Sequence, residues 1–540
     1  MENKKMKHKY LLKGDISGIQ KFIFDVQNKG AAKSLKAKSF LIEKIGSIAC
    51  KKVLEKLESA DAKGIKFYEG GGSFYIWFDA ENDSVANKII DKIRVDFHEA
   101  LKYENFYIIF SFVEAKDFGE TWINLRDQSI KDKLQIFISY PTAFIPYSPD
   151  DEDMEYLDFA KNYLSSKETG ANNDSDIYKA ITNEMVKHNY FFISLFGKKQ
   201  VSDATDFEKI ITNKLPFWKD YKEKESYEKY RLTYQYDYPD NFILKDNNLI
   251  DFDAFGDFAA RRTGTNKIGV AKLDVDNLGQ LFGNIKNEEK GRKLSEAFNK
   301  FFKESIYTIF NEETFEWSKS NEDKDVFKAN IYPVFSGGDD CFIIGAWDAV
   351  LPFIKRIQEE FHKEQNRWRD EFPEKEKDIT LSAGIVMIDP TCPVKLFAEM
   401  AEDALSKAKK NGKNKIVFFD LVFTWEDYAV LLNTSAELAE YMQQNDINRA
   451  YLNKITKSAR GFNALNNNDG VNFDKIYKLR YYISKNDETL DYIADLLFDP
   501  YYEAMKNRLL NQDKADVNLA IYPSIARITE LLTKSKLAYE

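Results

Sequence analysis

Histidine and cysteine are the scarce residues of this 540-residue chain, which holds four of the first and three of the second. His8, His98, His188 and His362 are scattered, no two at metal-ligand spacing, and no Cys-x-x-Cys occurs. That pattern argues against a zinc finger, a zincin and a histidine-rich metal nuclease. Cys50, Cys341 and Cys392 are an odd set far apart, which fits a reducing cytoplasm better than a disulfide framework. Long apolar runs are missing too. No stretch of 18 uncharged apolar residues occurs, and the basic start MENKKMKHK leads into YLLKGDISG rather than an apolar signal core. Positive charge is in deficit, with 78 Lys and Arg against 88 Asp and Glu, a net charge of −10. Global attraction to nucleic acid or membrane is therefore not expected, and any contact with nucleic acid falls to a local basic patch. The expectation is a cytoplasmic protein with no membrane partner.

What is present is core-forming material. Hydrophobic residues make up 44% and aromatics 15%, with 42 Phe and 30 Tyr, which argues against a largely disordered chain. The length predicts three to four domains. Residues 10–116 read as strand (YLLKGDISGIQKFIF, breaking at Gly14-Asp15), helix (31–57), a hairpin around Gly70-Gly71-Gly72, helix (84–102) and strand (106–115). That is the β-α-β-β-α-β order of ferredoxin-like units. A second copy starts near Lys267: a buried strand, a helix over 289–309, a hairpin around Gly337-Gly338-Asp339-Asp340, a helix over 348–368 and a strand over 379–388. A further helix, Gly turn and strand follow to Asp420. The predicted fold is α+β: two ferredoxin-like domains (1–116 and 263–420), an inserted mixed domain (117–262) and a C-terminal helical bundle (421–540). The insert carries an acidic run, Asp150 to Asp153, and a polar loop over 165–176. The last domain has a loop with Lys454, Lys457 and Arg460.

Chemistry concentrates in the second unit. Asp274 and Asp276 end a buried strand, in Leu-Asp-Val-Asp, and Asp339 and Asp340 occupy a hairpin tip. If the two strands are neighbours, these carboxylates converge at one end of the sheet, where mutual repulsion calls for a cation. Mg²⁺, or Mn²⁺ in its place, is the hard ion that pairs one or two carboxylates with substrate phosphates, and two such ions can clamp an in-line displacement. Gly337 and Gly338 remove side chains where backbone must pass close to a nucleotide. Asn277, Leu278 and Gly279 open a turn whose N–H groups suit phosphate oxygens. Lys409 and Lys413 are placed to reach a triphosphate, although lysines at a helix C-terminus also simply complement the helix dipole. Ser382 is small where a base or ribose packs, or where strands pack tightly. In the first unit, Gly71, Gly72 and Ser73 stand where the second has Gly-Asp-Asp, so a metal is not expected there. Asp15 and Ser17 line the same edge and are equally good caps for a turn or helix start. Lys33, Lys36 and Lys38 form either a solvated basic face or a contact for RNA phosphates. Taken singly, Gly-Gly-Asp-Asp is a good hairpin turn and Asp-Val-Asp a solvated strand end; together, at matching positions on a repeated frame, they favour catalysis.

The segments GDISGIQKFIF, AAKSLKAKSFLIEKI, EGGGSFYIWF, KLDVDNLGQLFG, FSGGDDCFIIG and AEDALSKAKKNGKN together resemble the large palm-domain subunit of type III CRISPR effector complexes, the Csm-type version most closely. Gly-Gly-Asp-Asp alone is also similar to diguanylate cyclases, but the duplicated unit and the absence of a sensor module disfavour that reading. The resemblance implies two palm domains facing each other across a pocket for two ATP molecules. It implies a ribonucleoprotein with other subunits, guide RNA and target RNA, in which RNA binding triggers synthesis of cyclic oligoadenylates. Carried over to this chain, Asp339 and Asp340 hold Mg²⁺, Asp276 assists, and the first palm holds the acceptor ATP. Many such subunits carry an HD nuclease domain and a Cys-ligated zinc. With no His-Asp pair and no Cys-x-x-Cys here, neither nuclease activity nor zinc is expected. Two alternatives stay open: transfer of AMP to another acceptor such as S-adenosylmethionine, and a non-catalytic nucleotide-binding scaffold.

Overall fold

The computed structural model describes residues 7–27, 30–101, 104, 106–139, 176–188, 214–217, 249–317, 325–371, 379–453, 488–509 and 518–534. The acidic run at 150–153, nearly all of the polar loop at 165–176, and Lys454, Lys457 and Arg460 lie outside them.

The first unit begins with β1 (His8–Ser17), then α1 (Ile19–Phe24), α2 (Ala31–Ser59), the hairpin β2 (Gly64–Gly70) and β3 (Ser73–Ala80), α3 (Asp83–Ala100) and β4 (Tyr107–Glu114). These four strands form one antiparallel sheet in the order β2-β3-β1-β4, the order a β-α-β-β-α-β chain gives when each helix crosses back over the sheet. The helices form for local reasons. Leu35, Leu41, Ile42, Ile45, Ala49, Val53 and Leu57 bury the inner face of α2. The Asn82 carboxamide accepts the Val85 N–H and caps α3. Gly71 and Gly72 make the hairpin turn with φ of 60° and 79°, a region open to glycine at no steric cost.

After β4 comes α4 (Phe118–Ser139), a helix that falls within the predicted insert but packs on β4 and β1 of the first sheet. A short helix, α5 (Asp176–Lys187), lies on α2. His188, just past its end, is wedged between Glu104 at 2.5 Å and Glu184 at 3.6 Å.

The second unit repeats the plan with additions. It contains α6 (Phe252–Thr263), β5 (Ile268–Val275), α7 (Leu278–Gly283), α8 (Glu288–Lys300), a π-helical turn (Phe301–Ser305), α9 (Ile306–Glu312) and a two-residue ribbon, β6 (Thr314–Phe315) with β7 (Asp325–Val326). Then follow β8 (Ile331–Gly337), β9 (Asp340–Ala346), α10 (Trp347–Glu371), β10 (Leu381–Ile388), α11 (Val394–Lys410), β11 (Ile416–Phe418) and β12 (Leu421–Phe423). The sheet order is β12-β11-β10-β5-β9-β8. Its last four strands reproduce the first sheet, with β5 in the place of β1. Strand β5 is apolar along almost its whole length because helices cover the sheet and strands flank it on both sides.

The two units share one core. Tyr75 of β3 stacks on Trp122 of α4 (ring centres 4.7 Å apart), and Trp122 stacks on Phe282 of α7 (4.6 Å). The Tyr332 hydroxyl of β8 donates to the Ala32 carbonyl of α2 at 2.5 Å. Beyond the sheets, the described residues form α12 (Trp425–Gln444), α13 (Glu488–Ile493), α14 (Asp499–Leu509) and α15 (Ile521–Leu532). Helix α12 starts with a reciprocal capping box, Thr424 with Asp427, and packs on α15 and α10. Among the described residues, no helix is long and apolar enough to cross a membrane.

Candidate active site between the two sheets

Strand register brings the sequence-predicted acids together. In the β5–β9 ladder Asp274 sits directly opposite Asp340, and on its other side Asp274 faces Ser382 of β10. The Val275 N–H donates to the Asp339 carbonyl at 3.0 Å, which draws the hairpin tip over the end of β5. Asp339 and Asp340 are recessed, and burial raises both: Asp339 to about 6, helped by Asp274, and Asp340 to about 8, helped by Asp339. Burial also raises Asp274 against the pull of its partner Lys409. Three carboxyls thus hold their protons more tightly than usual, because burial disfavours their charged forms and they repel one another.

Asp276 is in a different setting. It is 2% exposed, and its carboxylate accepts from Ser382 Oγ at 2.8 and 2.9 Å, from Thr380 Oγ1 at 2.8 Å and from the Asn414 N–H at 2.9 Å. It ties β5, β10 and the turn after α11 into one rim. Asn277, at φ 59°, starts the six-residue α7 that contains Leu278 and Gly279, and its side-chain oxygen accepts from Lys413. The structure therefore gathers Asp274, Asp276, Asn277, Ser382, Lys409 and Lys413 along one sheet edge, with Gly337 to Asp340 folded over it.

The first unit approaches from the opposite side. A Cβ on Gly338 would lie 3.3 Å from both the N and Cα of Gly71, so the hairpin tips meet backbone to backbone. Asp15 occupies in the first sheet the place of Asp274 in the second, opposite Ser73 rather than an aspartate. Ser73 Oγ donates to Asp15, Lys13 lies 3.4 Å from it, and Lys133 of α4 pairs with it as Lys409 of α11 pairs with Asp274. Burial works to raise Asp15, but Lys13, Lys133 and Ser73 outweigh it and hold the carboxyl below its ordinary value. A serine in place of the second carboxylate removes the repulsion that a metal would relieve. Ser17 ends β1 and caps nothing; Gly18, at φ 89°, takes the N-cap of α1.

Two residues at this junction escape sequence reasoning. The charge of Lys13 acts on Asp339 as well as Asp15, so a first-unit lysine contributes to the field over the second-unit acids. Burial, and then Asp339 and Asp340, push the Tyr68 hydroxyl above its usual value. The sequence signal for Lys13 is its position: it precedes Asp15 by two residues on one strand, just as Lys272 precedes Asp274.

A cavity of about 390 Å³ opens beside Asp340, between α2, the Gly70–Ser73 hairpin and Lys303. Of the two readings of Lys33, Lys36 and Lys38, the solvated face does not hold at Lys36, which lines this cavity. Lys36 is 8% exposed, and Lys38 donates to the Phe22 and Asp25 carbonyls at 3.2 and 2.6 Å.

The acids also bear on metal binding. Among the described residues, no group of three or more His, Cys, Asp or Glu side chains is arranged to hold a metal unaided. The recessed pair Asp339 and Asp340, with Asp274 beside it, suits an ion that takes one or two carboxylates and completes its shell with water and phosphate, which is how Mg²⁺ binds.

Comparison with known proteins points to one family. A family model described as Cas10/Cmr2, second palm domain, matches residues 267–417, and one described as Csm1 subunit domain B matches residues 8–145. The "CRISPR system single-strand-specific deoxyribonuclease Cas10/Csm1 (subtype III-A)" of Methanocaldococcus jannaschii is 28% identical over 474 residues, covering 76% of this chain and 57% of that protein. The protein of the same name from Thermococcus onnurineus is 25% identical, covering 80% of this chain and 59% of that one. The chain thus spans under two thirds of the length of these relatives. Among solved structures, a Csm1–Csm4 cassette in complex with pppApApA superposes with a TM-score of 0.62 at 17% identity, covering 98% of this chain and 71% of that one. The same cassette in complex with cA4 gives 0.58 at 18% identity, covering 97% and 70%.

Proposed function

This chain belongs to the Cas10/Csm1 family, and from that premise we propose that it is the nucleotidyltransferase subunit of a type III CRISPR effector, joining ATP molecules into cyclic oligoadenylates. In this reading its two sheet units are palm domains, its neighbours are a Csm4-type subunit and the guide and target RNA, and the RNA is the trigger. The observation that carries the reading is the placement of Asp274 opposite Asp340, with Asp339 folded over them, where the two hairpin tips meet.

The chemistry follows from who holds what. Asp339, Asp340 and Asp274 would hold Mg²⁺ or Mn²⁺, which neutralises phosphate charge and lowers the pKa of a bound hydroxyl. Asp276 does not face the ion in this scheme; it fixes Ser382, Thr380 and the 414 turn, and so positions the strand end that carries Asp274. Lys409 and Lys413 sit at the same rim for the donor's phosphates. The first palm presents the acceptor. Its 3′-oxygen bonds to the donor's α-phosphorus, the bond from that phosphorus to the bridging oxygen breaks, pyrophosphate leaves, and the hydroxyl proton passes to water. Such a displacement is governed by positioning and charge neutralisation.

The test is pyrophosphate release by the assembled complex with guide, target RNA, Mg²⁺ and ATP. Wild type should release it and the double variant Asp339→Ala with Asp340→Ala should not. Equal release by both would remove these residues from the site.

A further inference from the structure

The cavity beside Asp340 holds a feature that the metal chemistry does not use. Lys36, on the inner face of α2, lies between Ala32 and Phe40 at i−4 and i+4, both buried. Its ammonium makes no hydrogen bond or ion pair among the described residues, yet the side chain is more than nine-tenths buried and lines the cavity. Lys214 and Lys303 line the same space. Lys214 Nζ stands 5.0 Å from the Tyr307 ring centre, and the Lys303 stem lies 3.5 Å from where a Cβ on Gly337 would be. The carboxyl closest in effect to Lys36 is Glu43, which is exposed, while Lys214 repels it. Burial, with Lys214 adding to it, lowers Lys36 to about 8. An unpaired buried ammonium is costly, and an anion in the cavity would relieve that cost through charge-assisted hydrogen bonds.

We infer that Lys36, Lys214 and Lys303 form a pocket for the phosphate chain of the acceptor, selecting a nucleoside triphosphate over a cationic acceptor such as S-adenosylmethionine. This rests on the nucleotidyl-transfer reading for the word acceptor, while the phosphate pocket itself stands on the cavity. Three lysines repel a sulfonium and attract a polyphosphate, so the pocket discriminates by repulsion as well as attraction. Its floor is the Gly70–Ser73 hairpin of the first unit, the side proposed to hold the acceptor.

The experiment is titration of the full chain with inorganic tripolyphosphate, without divalent ions, by calorimetry in buffers of different ionisation enthalpy. Wild type should bind with proton uptake, and added S-adenosylmethionine should not compete. Lys36→Met should weaken binding by about tenfold or more, the worth of one charge-assisted hydrogen bond, and should abolish the proton uptake. Lys36→Arg should restore binding, and a thermal melt checks that each variant folds. Lys51→Met, at an exposed lysine of the same helix outside the cavity, should bind tripolyphosphate like wild type. Pyrophosphate and ATP as alternative probes separate a leaving-group site from an acceptor site: an acceptor pocket favours the triphosphate. Lys36-dependent tripolyphosphate binding in a complex that never turns over ATP would sink the nucleotidyl-transfer reading and leave the pocket standing. Tripolyphosphate binding indifferent to Lys36, pyrophosphate bound more tightly than tripolyphosphate, or S-adenosylmethionine bound in competition with tripolyphosphate, would overturn the inference.

Discussion

Gly71 and Gly338 meet at the tips of two hairpins from different units, both at positive φ, 60° and 71°. The contact is unequal. A Cβ on Gly338 would lie 3.3 Å from the N and Cα of Gly71, whereas a Cβ on Gly71 would lie 3.9 Å from Gly338 Cα. Gly71→Ala therefore carries only the left-handed strain of a non-glycine residue, ~1–2 kcal/mol. Gly338→Ala adds a backbone clash to the same strain. The expected urea midpoints fall in the order wild type, Gly71→Ala, Gly338→Ala, and turnover suffers most in the last because Asp339 is the next residue.

Asp274 and Asp276 stand two residues apart on one strand, yet their replacement should have opposite consequences. Removing Asp276 orphans two hydroxyls and one backbone N–H in a buried setting, at ~3 kcal/mol. Asp276→Ala should lower the denaturation midpoint accordingly. Asp274→Ala removes a carboxylate already disfavoured by burial and held by Lys409, so its effect on stability should stay within about 1 kcal/mol. Turnover should nevertheless vanish in Asp274→Ala.

The raised carboxyls give a pH signature. Asp339 and Asp340 bind protons more tightly folded than unfolded, so between about pH 4 and pH 8 the native state holds more protons and stability falls as pH rises. Asp339→Asn with Asp340→Asn should remove that slope and gain on wild type at pH 8, with no gain at pH 4. Protons compete with a cation for these oxygens, so Mg²⁺ should raise the wild-type melting temperature more at pH 8 than at pH 6. Melting curves at both pH values, with and without Mg²⁺, measure this.

Lys36 should carry a stability cost as well. Its folded pKa of about 8 lies below the usual lysine value, so the penalty is full below pH 8 and fades as pH rises toward 10.5. Lys36→Met should stabilise the protein by an amount on the order of 2–3 kcal/mol at neutral pH, and by less near pH 10. A gain in stability with a loss of phosphate binding is the mark of a residue kept for its ligand.

Much of the site could be read from the chain because it depends on strand ends and hairpin tips. Leu-Asp-Val-Asp and Gly-Gly-Asp-Asp fall where a β-α-β-β-α-β order sets strands one and three side by side, so the Asp274–Asp340 pairing follows from topology. What depends on rotation about a helix was harder to read. Lys36 looks like part of a basic face until α2 is turned so that Ala32, Lys36 and Phe40 point inward. Helix α4 falls past the expected end of the first unit, and only its packing on β1 and β4 makes Lys133 the counterpart of Lys409. The contact between the two units rests on stacked rings, Tyr75, Trp122 and Phe282, that lie far apart in sequence and share no motif.

The most direct measurement is mass spectrometry of the products made by the assembled complex from ATP, with guide, target RNA and Mg²⁺, in the presence and absence of S-adenosylmethionine. Adenylates linked to adenylates, unchanged by S-adenosylmethionine and absent from Asp339→Ala with Asp340→Ala, are the expected result. AMP joined to S-adenosylmethionine, or no nucleotide product from wild type under either condition, would contradict it.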